Sequence, residues 1–486
     1  MAPHKNHNSA RPQHPNVDGG RINTGHGHTE PLPKEDDPLS GDNPRKKYVT
    51  GLTPFRVRTL KIAGMVGNNG KNETHDRIDH LLIGEIDDAC FSGIKRLDER
   101  KLPSTAIELV PEDVLPLLKT TRGTKLYNRS TRKWTEWPFA ASYLEGPGAA
   151  EAQLAALLNQ VGEGIAEDKE MAGPPLKWTA RYCNKAVPGT RCQRKPDIVL
   201  MRADDADELS DTSNGWASIF AVAELKTGTN QGRPIEQLAH SARLVFGAQP
   251  DRQFVFGFTI HQNAMTFVVF NRGGLFSSDT FDVHSEPERL INIIGGMMFA
   301  DREHIGFDST MKITQFNEDE PLDPTVEVNG HTYDICEILH VENVIRGRAT
   351  VCLKVKRVVD NKEKFYVVKS GWVDERRALK EPAILEKLEG VPGIVQIVES
   401  QMLDGCTSDE LEKCDGKSLE KPTTEGKDGE EERIDHRRQL RVVMTPVGTP
   451  ILQFGSLKEL VYAFLKIVEG ELKTSFIASS WADCVQ

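Results

Sequence analysis

Pro196-Asp197-Ile198-Val199-Leu200, followed after a polar loop by Ala217-Ser218-Ile219-Phe220-Ala221-Val222-Ala223 and then Glu224-Leu225-Lys226, is the stretch that decides the fold. Each apolar run has strand length and is bounded by polar residues. Asp197 opens the first run, and Glu224 and Lys226 stand two apart at the end of the second. Side chains alternate faces along a strand, so Glu224 and Lys226 project together. If the runs pair as a hairpin, Asp197 joins them. Two carboxylates hold a hard cation such as Mg²⁺, and an ammonium beside them orients or activates a water, as phosphodiester hydrolysis requires.

The flanks extend this reading. Trp178–Pro196 carries Arg181, Lys185, Arg191, Arg194 and Lys195 and no acid, directly before Asp197. A nucleic-acid backbone would approach there, although a solvated loop has the same composition. Upstream, Leu154, Leu157, Leu158, Val161 and Ile165 form one stripe of a helix over Glu151–Glu167. Glu163 on that helix would serve as a further metal carboxylate, or else as an ordinary exposed helix charge. Downstream, a helix is expected over Pro234–Phe246, strands over Gln253–Ile260, Met265–Asn271 and Leu275–Val283, and a helix over Glu286–Phe299. Phe254, Phe256, Phe258 and Ile260 alternate onto one face as core residues. Strands flanked by helices make residues 144–316 an α/β (α+β) sandwich.

Composition bounds the rest. A chain of 486 residues with 38% hydrophobic content and net charge −11 implies several domains with disordered segments. The net charge argues against strong nonspecific nucleic-acid binding by the whole chain. The eight cysteines form no CxxC pair, which argues against a zinc ribbon or a secreted disulfide framework. There is no apolar leader in Met1–Asn16 and no membrane-length apolar run, so the expectation is an intracellular protein, cytoplasmic or nuclear, that is neither secreted nor membrane-bound. Residues 1–50 read as a disordered tail with a His-rich stretch, and 51–143 as a small, mostly helical region.

A further unit is expected over 325–470. Strands are expected around Val344–Val359 and Lys364–Val368, then a helix to Leu388, then strands Ile394–Glu399 and Leu440–Met444, and a helix around Ser456–Glu469. A disordered insertion over 404–438 interrupts it, since 19 of its 35 residues are charged and none is aromatic. Residues 471–486 read as a tail. The order is that of a protein kinase N-lobe. Arg346-Gly347-Arg348-Ala349-Thr350-Val351 takes the place of a phosphate-covering loop, with Gly347 and Val351 as its nucleotide contacts. Lys369 ends a strand where a phosphate-pairing lysine belongs, and Glu381 takes the place of the helix glutamate that holds it. Pro382 disfavours helical geometry at Glu381 and puts it at or near the N-cap. Val442-Val443-Met444-Thr445-Pro446-Val447 would be the strand and hinge against adenine, with Met444 and Val447 as contacts.

These residues carry two resemblances. The Asp197, Glu224, Lys226 grouping resembles the core of PD-(D/E)xK nucleases. The order Arg194-Lys195-Pro196-Asp197-Ile198, Trp216, Ala223-Glu224-Leu225-Lys226, Gln237-Leu238-Ala239, Ala248-Gln249-Pro250 and Phe256-Gly257-Phe258, with Gly347-Arg348-Ala349-Thr350 and Val368-Lys369-Ser370-Gly371-Trp372, resembles the fungal-type protein kinase family over roughly 140–465. This implies a PD-(D/E)xK-like sandwich fused to a partial, atypical kinase N-lobe, with ATP and Mg²⁺ as cofactors and an unidentified protein as Ser/Thr substrate or partner. The departure is that neither His-Arg-Asp nor Asp-Phe-Gly occurs in the chain, and the segment after the hinge is too short for a C-lobe. The expectation is a C-terminally truncated, inactive kinase relative. The alternatives are a Mg²⁺-dependent nuclease acting through Asp197, Glu224 and Lys226, and a non-catalytic scaffold.

Overall fold

The computed structural model describes residues 82–482 except 83–84, 87–88, 103–107, 141–145, 190–192, 208–214, 227–233, 317–322, 376–379, 408–435 and 449–453, with only the helical backbone for 470–482. The expected tail over 1–50, most of the charged insertion and Arg191 lie outside the described residues. In chain order the first half contains β1 (Cys90–Ile94), α1 (Leu97–Lys101), α2 (Pro111–Val114), β2 (Tyr127–Asn128), β3 (Lys133–Trp134), α3 (Ala149–Asp168), β4 (Leu176–Thr179), β5 (Ile198–Arg202), α4 (Ala203–Asp207), β6 (Ala221–Lys226), α5 (Pro234–Ala248), β7 (Phe254–His261), β8 (Ala264–Asn271), β9 (Gly274–Ser278), β10 (Phe281–Asp282) and α6 (Pro287–Met298).

These strands form one mixed sheet in the order β1-β9-β8-β7-β6-β5-β4, with β10 on β8. Strands β6 and β7 are parallel, and the crossover that a parallel pair requires is α5. Strands β5 and β6 are the antiparallel pair that the opening stretch suggests, in the register Ile198↔Ala223 and Val199↔Val222. The sheet is covered on both faces. On one face, Leu157, Val161 and Ile165 of α3 and Leu290 and Ile294 of α6 pack on Leu200, Ala223, Phe256 and Phe258. On the other, Leu238, Ala242 and Val245 of α5 pack on Val199, Val222, Val255 and Val268. Gly257 permits that second layer to sit close: a Cβ there would meet the Val222 carbonyl at 2.9 Å and Leu238 at 3.5 Å.

Two expectations change. The region 51–143 is not a separate helical unit in its described part. Cys90–Ile94 is an edge strand parallel to β9, and Leu97, Val114, Leu118, Trp134 and Trp137 enter the same core. The strand expected over Leu275–Val283 is split, because Asp279 turns away to bond the guanidinium of Arg289 and the backbone N–H of Arg96.

The second half contains β11 (Met311–Lys312), β12 (Thr325–Val328), β13 (His331–Val341), β14 (Val351–Val359), β15 (Lys362–Asp374), α7 (Glu381–Lys387), β16 (Gln396–Cys406), β17 (Arg437–Thr445) and α8 (Leu457–Ala482). Its strands form a curled antiparallel sheet in the order β11-β12-β13-β14-β15-β17-β16. One face buries Val326, Ile338, Val351, Leu353, Val368 and Val443. The other packs Val442 and Met444 against Leu385 of α7. Residues 342–350, expected to begin a strand at Val344, form a loop instead. No helix among the described residues is long and apolar enough to cross a membrane.

The curled sheet is joined to the first half through buried polar groups. Arg441 on β17 is fully buried and pairs with Asp308, with further bonds to Thr310 Oγ1 (2.7 Å) and the Glu327 carbonyl (2.8 Å). Gln439 donates to Asp308 and to Ser370 Oγ. Removing one partner of a buried pair leaves an uncompensated charge. Arg441→Ala should therefore lower stability by about 3–5 kcal/mol, read as a fall in urea midpoint.

Candidate functional sites

Strand alternation and register set the first site. Val199 and Val222 face α5, so Asp197 and Glu224 face it too, at the adjoining position of the ladder. The two carboxyl groups hydrogen-bond each other, and Asp197 Oδ2 also accepts the N–H of Leu225 at 2.6 Å. Lys226 Nζ lies 3.8 Å from Glu224 Oε2 and donates to Gln237 Oε1 on α5. A cavity of about 300 Å³ opens over this group, lined by Gln193, Arg194, Lys195, Glu224, Gln237 and Ser241.

Burial pushes the Asp197 carboxyl above the ordinary range. Glu224 is 4% exposed, and burial together with the Asp197 charge pushes it well above. Two like charges this close in a poorly solvated site disfavour each other's ionisation, which adds to the effect of burial on Glu224. A divalent cation would reverse that balance and ionise both. Two carboxylates plus substrate oxygens are a ligand set that suits Mg²⁺. No cluster of three or more His, Cys, Asp or Glu able to hold a metal occurs among the described residues.

Glu163 is not brought to this pair. Helix α3 packs on the opposite face of the sheet, and Glu163 is on its solvent side. Burial chiefly raises the Cys183 thiol, and the charges of Glu151 on α3 and of Asp197 both add to that shift. Nothing in the sequence marks Cys183, because its proximity depends on how the Trp178–Pro196 segment folds back toward α3. Of the basic residues in that segment, Arg181 bonds the Asp205 carbonyl and Lys185 lies over the Tyr182 ring. Arg194 and Lys195 line the cavity.

The second site is on the curled sheet. Lys369 Nζ bonds Glu381 Oε1 at 2.7 Å and Oε2 at 2.8 Å, with both side chains 27% exposed. Pro382 does not prevent this. Glu381 is the first residue of α7, with Pro382 next, where a missing N–H costs nothing. Met444 shares the Lys369 face, since Val367↔Met444 and Lys369↔Val442 are in register. Val447 lies half-buried beyond the strand end. Val351 does not share that face: it is buried on the other side with Leu353 and Val368. Cys352 stands opposite Lys369 instead, and burial raises its thiol pKa. Gly347 adopts φ +132°, a conformation that favours glycine, and its N–H goes to the Arg272 carbonyl. A small cavity of about 40 Å³ beside Glu381 is lined by Arg348, Trp372, Val373, Asp374, Lys380 and Arg437.

Residues 195–474 match the family described as fungal protein kinase. No curated protein and no solved structure matches the chain.

The upward shift of the Glu224 carboxyl has a measurable consequence. The unfolded chain releases the Glu224 proton near the ordinary value of 4.5, whereas the native chain retains it to higher pH. Stability is therefore lost as pH rises from that value to the raised native one, and the loss persists above it. Glu224→Gln keeps the hydrogen bond to Asp197 without the ionisation. The variant should match the native protein at about pH 4 and exceed it in melting temperature at neutral pH.

Proposed function

The chain belongs to the fungal protein kinase family, and on that premise we propose that its curled sheet is a kinase N-lobe-like half-site that binds nucleotide without transferring phosphate. The observation that supports this is the Lys369–Glu381 ion pair, with both oxygens of Glu381 engaged. In kinases such a pair holds the ammonium extended toward nucleotide phosphates. The strand order β13-β14-β15-β17-β16, with α7 between β15 and β16 in sequence, fits the same reading.

The residues fit ATP at some points and not at others. Lys369 would meet a phosphate, and Met444 and Val447 would flank the base. The loop amides are committed elsewhere: Gly347 donates to Arg272. Mg²⁺ in a kinase neutralises charge between the phosphates and needs an Asp-Phe-Gly aspartate, and the hydroxyl nucleophile needs a catalytic-loop Asp. Neither motif occurs in the 486 residues. What this chain's own residues supply is Lys369, positioned by Glu381 on a partly open face, with Arg348, Lys380 and Arg437 around the cavity beside that pair. Both side chains of the pair are 27% exposed, so solvent screens the Lys369 charge.

A second reading concerns the α/β domain. The Asp197–Glu224 pair facing a cavity lined by Arg194 and Lys195 supports a Mg²⁺-dependent phosphodiesterase of PD-(D/E)xK type. Asp197 and Glu224 would hold the cation, Arg194 and Lys195 would meet phosphate oxygens, and Lys226 would orient the water. The scaffold alternative is favoured by no particular residue.

Purified chain incubated with radiolabelled ATP, Mg²⁺ and a generic Ser/Thr substrate should transfer no label above background. It should bind ATP with a Kd of about 1 mM or weaker, near −4 kcal/mol. Label transfer that disappears in Lys369→Ala would overturn the reading. For the second site, any Mn²⁺- or Mg²⁺-dependent cleavage of DNA or RNA should vanish in Asp197→Ala. Undiminished cleavage by that variant would locate the activity elsewhere.

A further inference from the structure

The loop 342–350 between β13 and β14 is the segment that would cover phosphates, and its amides are already engaged within the chain. Glu85 Oε1 accepts the N–H of Ile345 at 2.5 Å and of Arg346 at 2.7 Å. The carbonyls before them are held by guanidinium groups, Arg272 Nη1 to Val344 at 2.6 Å and Arg243 Nε to Asn343 at 2.9 Å. The Ile345 side chain is fully buried among Leu82, Ile86, Phe246 and Leu275 of the α/β domain. Gly247 makes room for the approach: a Cβ there would meet the Asn343 side chain at 2.9 Å. At its other end the loop reaches the kinase-like site, where the Arg348 carbonyl accepts the N–H of Trp372 and Arg348 lines the cavity beside Glu381.

Two successive amides converging on one oxygen form an anion-binding concavity of the kind that cradles phosphate. Here the anion is a carboxylate from 260 residues away in the chain. The charges of Arg243 and Arg272 favour its ionised form, against the burial that raises its pKa. We propose that Glu85 is a built-in competitor for nucleotide phosphate, an autoinhibitory contact that keeps the Ile345 and Arg346 amides engaged on the α/β domain and so withholds them from phosphates at the Lys369 site. The proposal rests on the nucleotide-binding reading above. It identifies the ligand class that the contact excludes: the phosphate tail of a nucleotide, rather than its base.

The test uses the full chain and titrates adenosine and Mg²⁺-free ATP, with amide hydrogen exchange followed at Ile345 and Arg346. In the native protein both amides should be protected, and adenosine and ATP should bind within about threefold of each other, because the phosphates gain nothing from the loop. In Glu85→Ala the two amides should exchange faster. ATP should bind about tenfold tighter with adenosine unchanged, as expected for recovering a charge-assisted hydrogen bond. If Glu85→Ala fails to fold, Glu85→Gln keeps the acceptor but weakens it, and should give a smaller gain for ATP alone. Unchanged ATP affinity in the folded variants, with adenosine still bound, would overturn the competitor and leave the half-site reading intact. Absence of adenosine binding by every variant would sink the half-site reading and the competitor with it.

Discussion

A guanidinium with no exposed surface is expensive to bury, and the arrangement of the second half of the chain depends on how Arg441 is satisfied. Its charge is met by Asp308, and its Nη1 donates to Thr310 Oγ1 and the Glu327 carbonyl, while its buried Nε is left without a hydrogen-bond partner among the described residues. Asp308 also accepts from Gln439 and from the Thr310 hydroxyl and amide. The pairing with Asp308 offsets the cost of burying the charge, and the geometry that permits it is narrow. The match therefore fixes β17 against β12 and the 308–310 turn. Lys369 is paired with Val442, next to Arg441, so the position of the lysine is inherited from a bond network on the opposite side of the same sheet.

The division between what is legible in the sequence and what is not has a physical pattern. The Asp197, Glu224 and Lys226 face is legible because alternation over short apolar runs is local and survives uncertainty at strand ends. The aromatic alternation of β7 is legible for the same reason. Glu163 is misplaced for a different reason. Amphipathicity tells which side of a helix is buried, but not which face of the sheet it covers, and α3 covers the face away from the carboxylates. Val351 is misplaced because a loop of unknown length sets the parity of the strand after it. Once β14 begins at Val351, Cys352 rather than Val351 is opposite Lys369. Pro382 argues against a helical role for Glu381, yet the helix start is where such a proline is tolerated. The contacts of Glu85 with Ile345 and of β1 with β9 join residues 180 or more apart in the chain, which no local pattern encodes.

The two sites are built with opposite electrostatic balances. At the carboxylate pair, one ammonium already shared with Gln237 faces two buried acids, and both carboxyl groups are pushed above their ordinary range. A divalent cation would lower both, and Arg194 and Lys195, which line the cavity, would attract any anion that accompanies it. At the curled sheet, Lys369 is neutralised by Glu381 and the neighbouring loop amides by Glu85. The lysine and these amides are thus each already met by a carboxylate of the chain. A phosphate entering that site would displace or compete with a carboxylate that the fold already provides. Ligand at the first site thus relieves an existing electrostatic cost, whereas ligand at the second must break contacts that are satisfied without it. The residues of the family match run through both sites, and at the carboxylate pair burial and mutual repulsion leave a cost in the folded chain that a cation would offset.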